Sequence, residues 1–203
     1  FLKKLVVSFL NNLIINKFNK FMEFISTVNQ MLLFLTITGQ IILAIVIISF
    51  VTKQIKILNF FSKHALVFSF IIALVATLGS LFYSEIAGYE PCKLCWFQRI
   101  LMYPQVIILA MALLKKDNKV ASYSIALSFL GVLISGYHYL LQLGVGPSIS
   151  CSSIGYSINC AQKFVMGFGY ITIPMMAFTA VLLIIGFMFA LKSNNYFNYE
   201  NEK

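Results

Sequence analysis

The sequence predicts an all-α membrane protein built as one domain, and three observations carry that prediction. Of its 203 residues 60% are apolar and 10% charged, and the mean hydropathy is +0.90, outside the range of ordinary globular domains. Five apolar runs are each long enough to cross a hydrocarbon core about 30 Å thick. Spans of roughly 20 residues joined by short connections then account for most of the chain, leaving little for a soluble domain.

Residues 1–30 carry Lys3, Lys4, Lys17 and Lys20 and read as a basic, amphipathic N-terminal extension. Met31 to Val51 reads as the first transmembrane helix. Ala65 to Phe82, Trp96 to Leu114, Val120 to Leu141 and Phe168 to Leu191 read as four more, followed by a cytoplasmic tail over residues 192–203. Lys53, Lys56 and Lys63 fall in the first connection and Lys115, Lys116 and Lys119 in the third, so the positive-inside rule puts both in the cytoplasm. The stretches Glu85 to Cys95 and Gln142 to Gly167 then face outward. Five spans with a cytoplasmic tail leave the amino end outside, against the preference of its lysines. Three readings relieve that conflict: residues before Met22 or Met31 are absent from the mature product, Phe1 to Phe21 lies on a membrane surface, or the first run is a signal-like segment. The formal charge of +9 is scattered between apolar runs, not gathered on one face with aromatics, which argues against nucleic acid as a partner.

All four cysteines, Cys92, Cys95, Cys151 and Cys160, fall on the outward side. Small buried apolar residues would be distributed through the spans, whereas an even number confined to the oxidising face suggests two disulfides. Cys92 and Cys95 stand in Glu90-Pro91-Cys92-Lys93-Leu94-Cys95-Trp96-Phe97-Gln98-Arg99. With Pro91 at the first helical position, both occupy the first turn of a helix, near enough to be bridged. A staple closing so small a loop adds little stability, while the free N–H groups and dipole of a helix start favour a thiolate. Arg99 lies one turn deeper than Cys95 on the same face. An arginine there either snorkels to the headgroups or stabilises a sulfur anion or a reduced, negatively charged cofactor.

Cys151 and Cys160 lie in a segment rich in Gly, Ser and turn residues, which reads as a loop open to the aqueous side. The loop pair suits a water-soluble partner and the helix pair a lipid-soluble one. A metal site is not expected, since the second pair is widely spaced and neither pair has a histidine beside it in sequence. Haem is not expected either, because His64 and His138 fall near opposite faces. Tyr137, His138, Tyr139 and Gln142 fall near the depth of Arg99 and are candidates to line a pocket, with His138 read chiefly as a packed histidine. Pro104 and Pro174 are expected to bend their helices, and Gly131 and Gly136 to mark close packing.

Pro91-Cys92-Lys93-Leu94-Cys95-Trp96-Phe97-Gln98-Arg99-Ile100, then Met102-Tyr103-Pro104, Tyr137-His138-Tyr139 and Phe168-Gly169-Tyr170-Ile171-Thr172-Ile173-Pro174 together resemble the DsbB/BdbC family of disulfide-bond formation membrane proteins, on its BdbC side. The resemblance runs from about Ala65 to Leu191. It implies a DsbB-like four-transmembrane-helix bundle over residues 65–191, with 31–51 as one additional N-terminal helix. It implies a thiol-disulfide oxidoreductase of the bacterial cytoplasmic membrane that takes electrons from a DsbA/BdbD-like, thioredoxin-fold thiol oxidase and passes them to ubiquinone or menaquinone. Carried over by position, Cys151–Cys160 is the pair that meets the partner, with Cys151 the favoured mixed-disulfide site. Cys92–Cys95 is the pair reoxidised by quinone, with Cys95 nearest the ring and Arg99 beside it. Two rivals remain: a vitamin K epoxide reductase-like quinone reductase, in which the loop pair precedes the CxxC, and a non-catalytic membrane protein held by two structural disulfides.

Overall fold

The computed structural model describes residues 2–145 and 160–201. Among these residues the chain forms six α-helices: α1 (Leu2–Val51), α2 (Ile55–Lys63), α3 (Ala65–Leu81), α4 (Lys93–Lys115), α5 (Val120–Gln142) and α6 (Ile173–Asn201). A π-helical turn, Phe82–Ile86, extends α3. Five helices are long and apolar enough to cross a membrane, the first of them near the N-terminus.

Helices α3 to α6 close a ring in which each packs on the next and α6 returns to α3. The ring is the four-helix bundle, and α1 and α2 lie outside it against α6. Helix α6 therefore has neighbours on several sides, which explains a sequence apolar all round: Val181, Leu183, Ile184, Phe187 and Met188 are all buried. Some polar groups inside the bundle are paired across helices, which suits an apolar surrounding. The Gln105 Oε1 on α4 accepts from Ser124 (3.2 Å) and Ser128 (3.1 Å) on α5. Glycine lets α5 approach α6, since a Cβ on Gly131 would stand 3.0 Å from Val181 and one on Gly136 3.4 Å from Phe178. Both were expected to be close-packing positions, and both are.

Three boundaries differ from the sequence reading. The basic extension and the first span form one continuous helix, α1, because nothing between Leu2 and Val51 breaks it: the stretch holds no proline and only Gly39. The first connection contains a short helix, α2, whose Phe61 ring lies 5.6 Å from that of Phe187 on α6. The last helix begins at Ile173 and not at Phe168. Before it, Gly167 and Ile171 exchange two backbone hydrogen bonds of 2.9 Å, and Phe168 (φ 51°) and Gly169 (φ 78°) make a tight turn. Hydropathy registers the apolar side chains here but not the left-handed backbone. Pro174 consequently falls in the first turn of α6, where its missing N–H costs no helical bond and no bend is required. Pro104 does lie inside α4.

Candidate active site

The site is assembled where the start of α4 meets the ends of α3 and α5. Cys92 is the residue capping α4, with extended backbone (φ −71°, ψ 171°), and its carbonyl accepts the Trp96 N–H at 3.1 Å. Pro91 thus precedes the cap, and Lys93, not Pro91, opens the helix. The helix boundary lies two residues later than expected, with Cys92 at the cap and Cys95 in the first turn. Their sulfurs lie 3.4 Å apart, Cys92 donating to Cys95. Cys92 is buried, and its thiol is pushed up to about 12, first by the hydrogen bond it gives Cys95 and then by burial.

His138, on the last turns of α5, joins this pair to Cys160. Its Nε2 lies 3.1 Å from the Cys160 carbonyl oxygen and 3.7 Å from the Cys92 sulfur. Its Nδ1 lies 3.2 Å from the Gln98 side-chain amide nitrogen. A carbonyl only accepts and an amide NH₂ only donates, so the proton is assigned to Nε2 and Nδ1 receives from Gln98. The ring is thereby fixed against the helix pair on one side and a loop cysteine on the other. Gln142, one turn further, donates to the Gln162 carbonyl at 3.0 Å and secures the same loop. Cys160 is buried. Cys151 and its pairing with Cys160 lie outside the described residues.

Arg99 is buried, with its Nε donating to the Ser80 hydroxyl and its Nη2 to the Ser80 carbonyl, each at 2.9 Å. Its guanidinium also stands 5.3 Å from the centre of the Trp96 ring. Its charge is thereby held against Ser80 of α3. Arg99 and Cys95 line a partly open cavity of about 320 Å³ between α1, α3, α4, α5 and α6. At its upper end Tyr83, Tyr89 and Phe164 form a stack, with ring centres 5.9 and 5.0 Å apart. The hydroxyls of Tyr83 and Tyr103, both lining residues, are buried without a hydrogen-bond partner. Such orphaned donors beside a buried cation suit a ligand bearing carbonyl oxygens.

The family described as "Disulfide bond formation protein DsbB" matches residues 62–191. This chain belongs to the DsbB family. Disulfide bond formation protein C of Bacillus subtilis is 43% identical over 129 residues, covering 61% of this chain and 89% of the relative. A probable disulfide formation protein C of Halalkalibacterium halodurans is 46% identical over 116 residues, 57% of this chain and 84% of the relative. An SPbeta prophage-derived disulfide bond formation protein B of Bacillus subtilis is 44% identical over 117 residues, 58% and 78% respectively. No solved structure gives a significant match. The chain is a multi-pass membrane protein of disulfide bond formation, a thiol-disulfide oxidoreductase by family.

In this DsbB-family chain the match begins after α1, so the helix that walls one side of the cavity lies outside the family's shared part. Of the sequence candidates for pocket lining, Tyr137, His138, Tyr139 and Gln142 do not line this cavity. Three of them meet the loop side instead, His138 and Gln142 at the carbonyls of Cys160 and Gln162 and Tyr139 by donating to the Tyr170 carbonyl at 3.1 Å. Sequence depth alone cannot say which side of a helix faces which neighbour. Ser80, Tyr83, Tyr89 and Phe164 went unnoticed in the sequence. Tyr83 is buried in the π-turn at Phe82–Ile86, and such turns have no reliable sequence mark. Cys92, Cys95 and His138 bring three ligand atoms within 4.8 Å of one another. A histidine therefore stands beside the Cys92–Cys95 pair in space, although none does in sequence. For His138 to ligate through Nε2 it would give up its bond to the Cys160 carbonyl.

Proposed function

We propose that this chain reoxidises an extracytoplasmic thioredoxin-fold thiol oxidase of the DsbA/BdbD type and passes the electrons to membrane quinone. The observation that carries the reading is the cavity itself, which is lined by Cys95, Arg99 and two tyrosines with partnerless hydroxyls amid mostly apolar side chains. Quinone, when bound, takes up two electrons and two protons and is lipid-soluble, so it accepts from a dithiol without leaving the membrane. Arg99 and the hydroxyls of Tyr83 and Tyr103 would hold its ring, and the Tyr83–Tyr89–Phe164 stack would wall it.

The redox unit is the 65–191 core, in which Cys151 and Cys160 exchange with the partner and Cys92 and Cys95 receive the electrons. A partner thiolate attacks Cys151 and expels Cys160 as thiolate; a second partner thiolate closes the partner's disulfide, leaving the loop pair as a dithiol. A Cys160 thiolate attacking the Cys92–Cys95 disulfide, followed by closure of Cys151–Cys160, makes the helix pair the dithiol. His138 supports the exchange by holding the Cys160 backbone against Cys92. When the Cys92–Cys95 disulfide forms again, two electrons and two protons leave these thiols, and one Cys92 proton departs from the hydrogen bond to Cys95.

The arrangement sits in the cytoplasmic membrane with its cysteines outward. Lys53, Lys56, Lys63, Lys115, Lys116 and Lys119 at the other end support that orientation. Helix α1 is an addition to the core, and the stretch from residue 192, which continues α6 as far as Asn201, lies on the cytoplasmic side. The deciding experiment follows quinone absorbance in detergent-purified protein with reduced thiol oxidase as donor. Quinone loss matched by partner oxidation, and abolished by Cys95→Ser, is expected. No loss with ubiquinone or menaquinone analogues, in folded protein, would leave two structural disulfides as the better account.

A further inference from the structure

We infer that helix α1 completes a binding slot for the hydrocarbon tail of the electron acceptor, walled by α1, α3 and α6 and leading from Arg99 toward the membrane interior. The inference rests on quinone being the acceptor and concerns a part of the chain outside the DsbB family match.

The cavity is longer than a ring requires. On α3 its lining runs from Ser80 down to Ile71 and on α1 from Leu32 to Ile42, which at the rise of an α-helix is about 13 to 15 Å. An apolar cavity of about 150 Å³ already holds a benzene ring, so roughly half of the 320 Å³ here is left over. The polarity is also divided along the axis. Cys95, Gln98, Arg99, Glu90 and Tyr83 gather at the upper end, while Ile42, Ile72, Val75, Leu183 and Phe187 line the rest. The threonine hydroxyls along the slot already have partners for their protons: Thr36 donates to the Leu32 carbonyl at 2.8 Å and Thr179 to the Met175 carbonyl at 2.9 Å. A molecule with a polar head and an apolar chain fits that division.

Helix α1 is held so that the slot stays open. It packs on α6 along its length, where a Cβ on Gly39 would stand 3.0 Å from Leu183 and one on Gly186 3.4 Å from Val46. It approaches α3 near the upper end, where the Phe24 and Phe82 rings lie 5.9 Å apart and Leu32 faces Gly79. Residues of both helices below that contact, Leu35 to Ile42 on α1 and Ile71 to Ala76 on α3, line the same cavity, which is the slot. Without α1 the same groove between α3 and α6 would be open to lipid.

A hydrocarbon chain in this slot has two sources, the acceptor's tail or a lipid acyl chain, and a photolabel separates them. A quinone analogue with a diazirine at its tail end, irradiated with the full chain in detergent, should label α1 between Leu32 and Ile42. Excess unlabelled long-tailed quinone should suppress that labelling and phospholipid should not. In turnover, Ile42→Trp should raise KM for a long-tailed quinone about tenfold, the scale on which a shaped apolar pocket rejects a misfit, and leave a tail-less quinone unchanged. Ile41→Trp, on the outer side of α1 with 57% of the residue exposed, should change neither. Labelling suppressed by phospholipid, labelling confined to the outer surface, or equal effects of Ile42→Trp on both quinones would overturn the slot. If Ile42→Trp does not fold, the photolabel on the unsubstituted chain decides alone. A folded, unsubstituted chain that reduces neither quinone would instead overturn the acceptor assignment.

Discussion

Cys92 keeps its proton because that proton is in use. Its S–H donates to Cys95 in a buried setting, and these two causes push its pKa up from 9.0 to about 12. A raised thiol pKa means the neutral form persists through pH 9, where an ordinary cysteine is half ionised, and gives way only as pH nears 12. In reduced protein, iodoacetamide labelling mapped by mass spectrometry should therefore leave Cys92 nearly inert up to about pH 9; labelling there at the rate of a free thiol would contradict the hydrogen bond. Arg99 is held by a two-point contact to Ser80 that a lysine cannot reproduce. Arg99→Lys should weaken quinone affinity by about tenfold or more, the worth of a charged hydrogen bond, while partner-to-loop exchange in a single turnover stays unchanged. Loss of both together would make Arg99 a folding residue only. His138→Ala should slow transfer from the loop pair to the helix pair by about tenfold, one hydrogen bond's worth of positioning, read by acid-quenched mass mapping of the mixed species.

At the level of elements, the bundle depends on helices that lack side chains where they cross. Gly131 meets Val181 with no room to spare, so Gly131→Leu should force α5 off α6 and cost about 1–3 kcal/mol, visible as a lower Tm in detergent. An unchanged Tm would mean that Val181 yields without strain. The turn before α6 has the same character: Phe168 and Gly169 both take positive φ, and a Cβ on Gly167 would overlap the Leu33 side chain of α1. That turn and α1 are therefore fitted to each other, although one belongs to the family core and the other does not.

For the whole molecule, helix α1 is joined to the four-helix core by a chain of polar side chains. Tyr170 donates to Gln40 at 2.8 Å and the Gln40 amide donates to Thr179 at 3.5 Å. Gln40→Leu should cost about 0.6 kcal/mol, typical of hydrogen bonds between membrane helices. Tyr170→Phe combined with it should cost less than the sum of the two, because they remove one shared bond; strict additivity in thermal melts would show that the chain carries no coupling. Helix α1 is also longer than a bilayer needs. Phe24 to Val51 alone rises about 42 Å, the thickness of a membrane with its headgroups, and Phe24 lies level with Phe82 at the cysteine end. The residues before Phe24 extend α1 past that end, with Lys17 and Lys20 exposed.

Composition and spacing alone determined the membrane class, the five apolar runs and the DsbB resemblance, since these depend on local hydropathy and on motifs read along the chain. They also placed Cys92, Cys95 and Arg99 on one helix start, because residues three and four apart share a face whatever the fold. The tertiary structure decided what those residues meet. His138 lies far from Cys92 in sequence, and only the packing of α5 on α4 sets it 3.7 Å from that sulfur. Ser80 fixes Arg99 only because α3 runs beside α4. The tyrosine hydroxyls and the α1 wall belong to a cavity, and a cavity is space left between helices, set by their relative positions and not by any segment's own pattern.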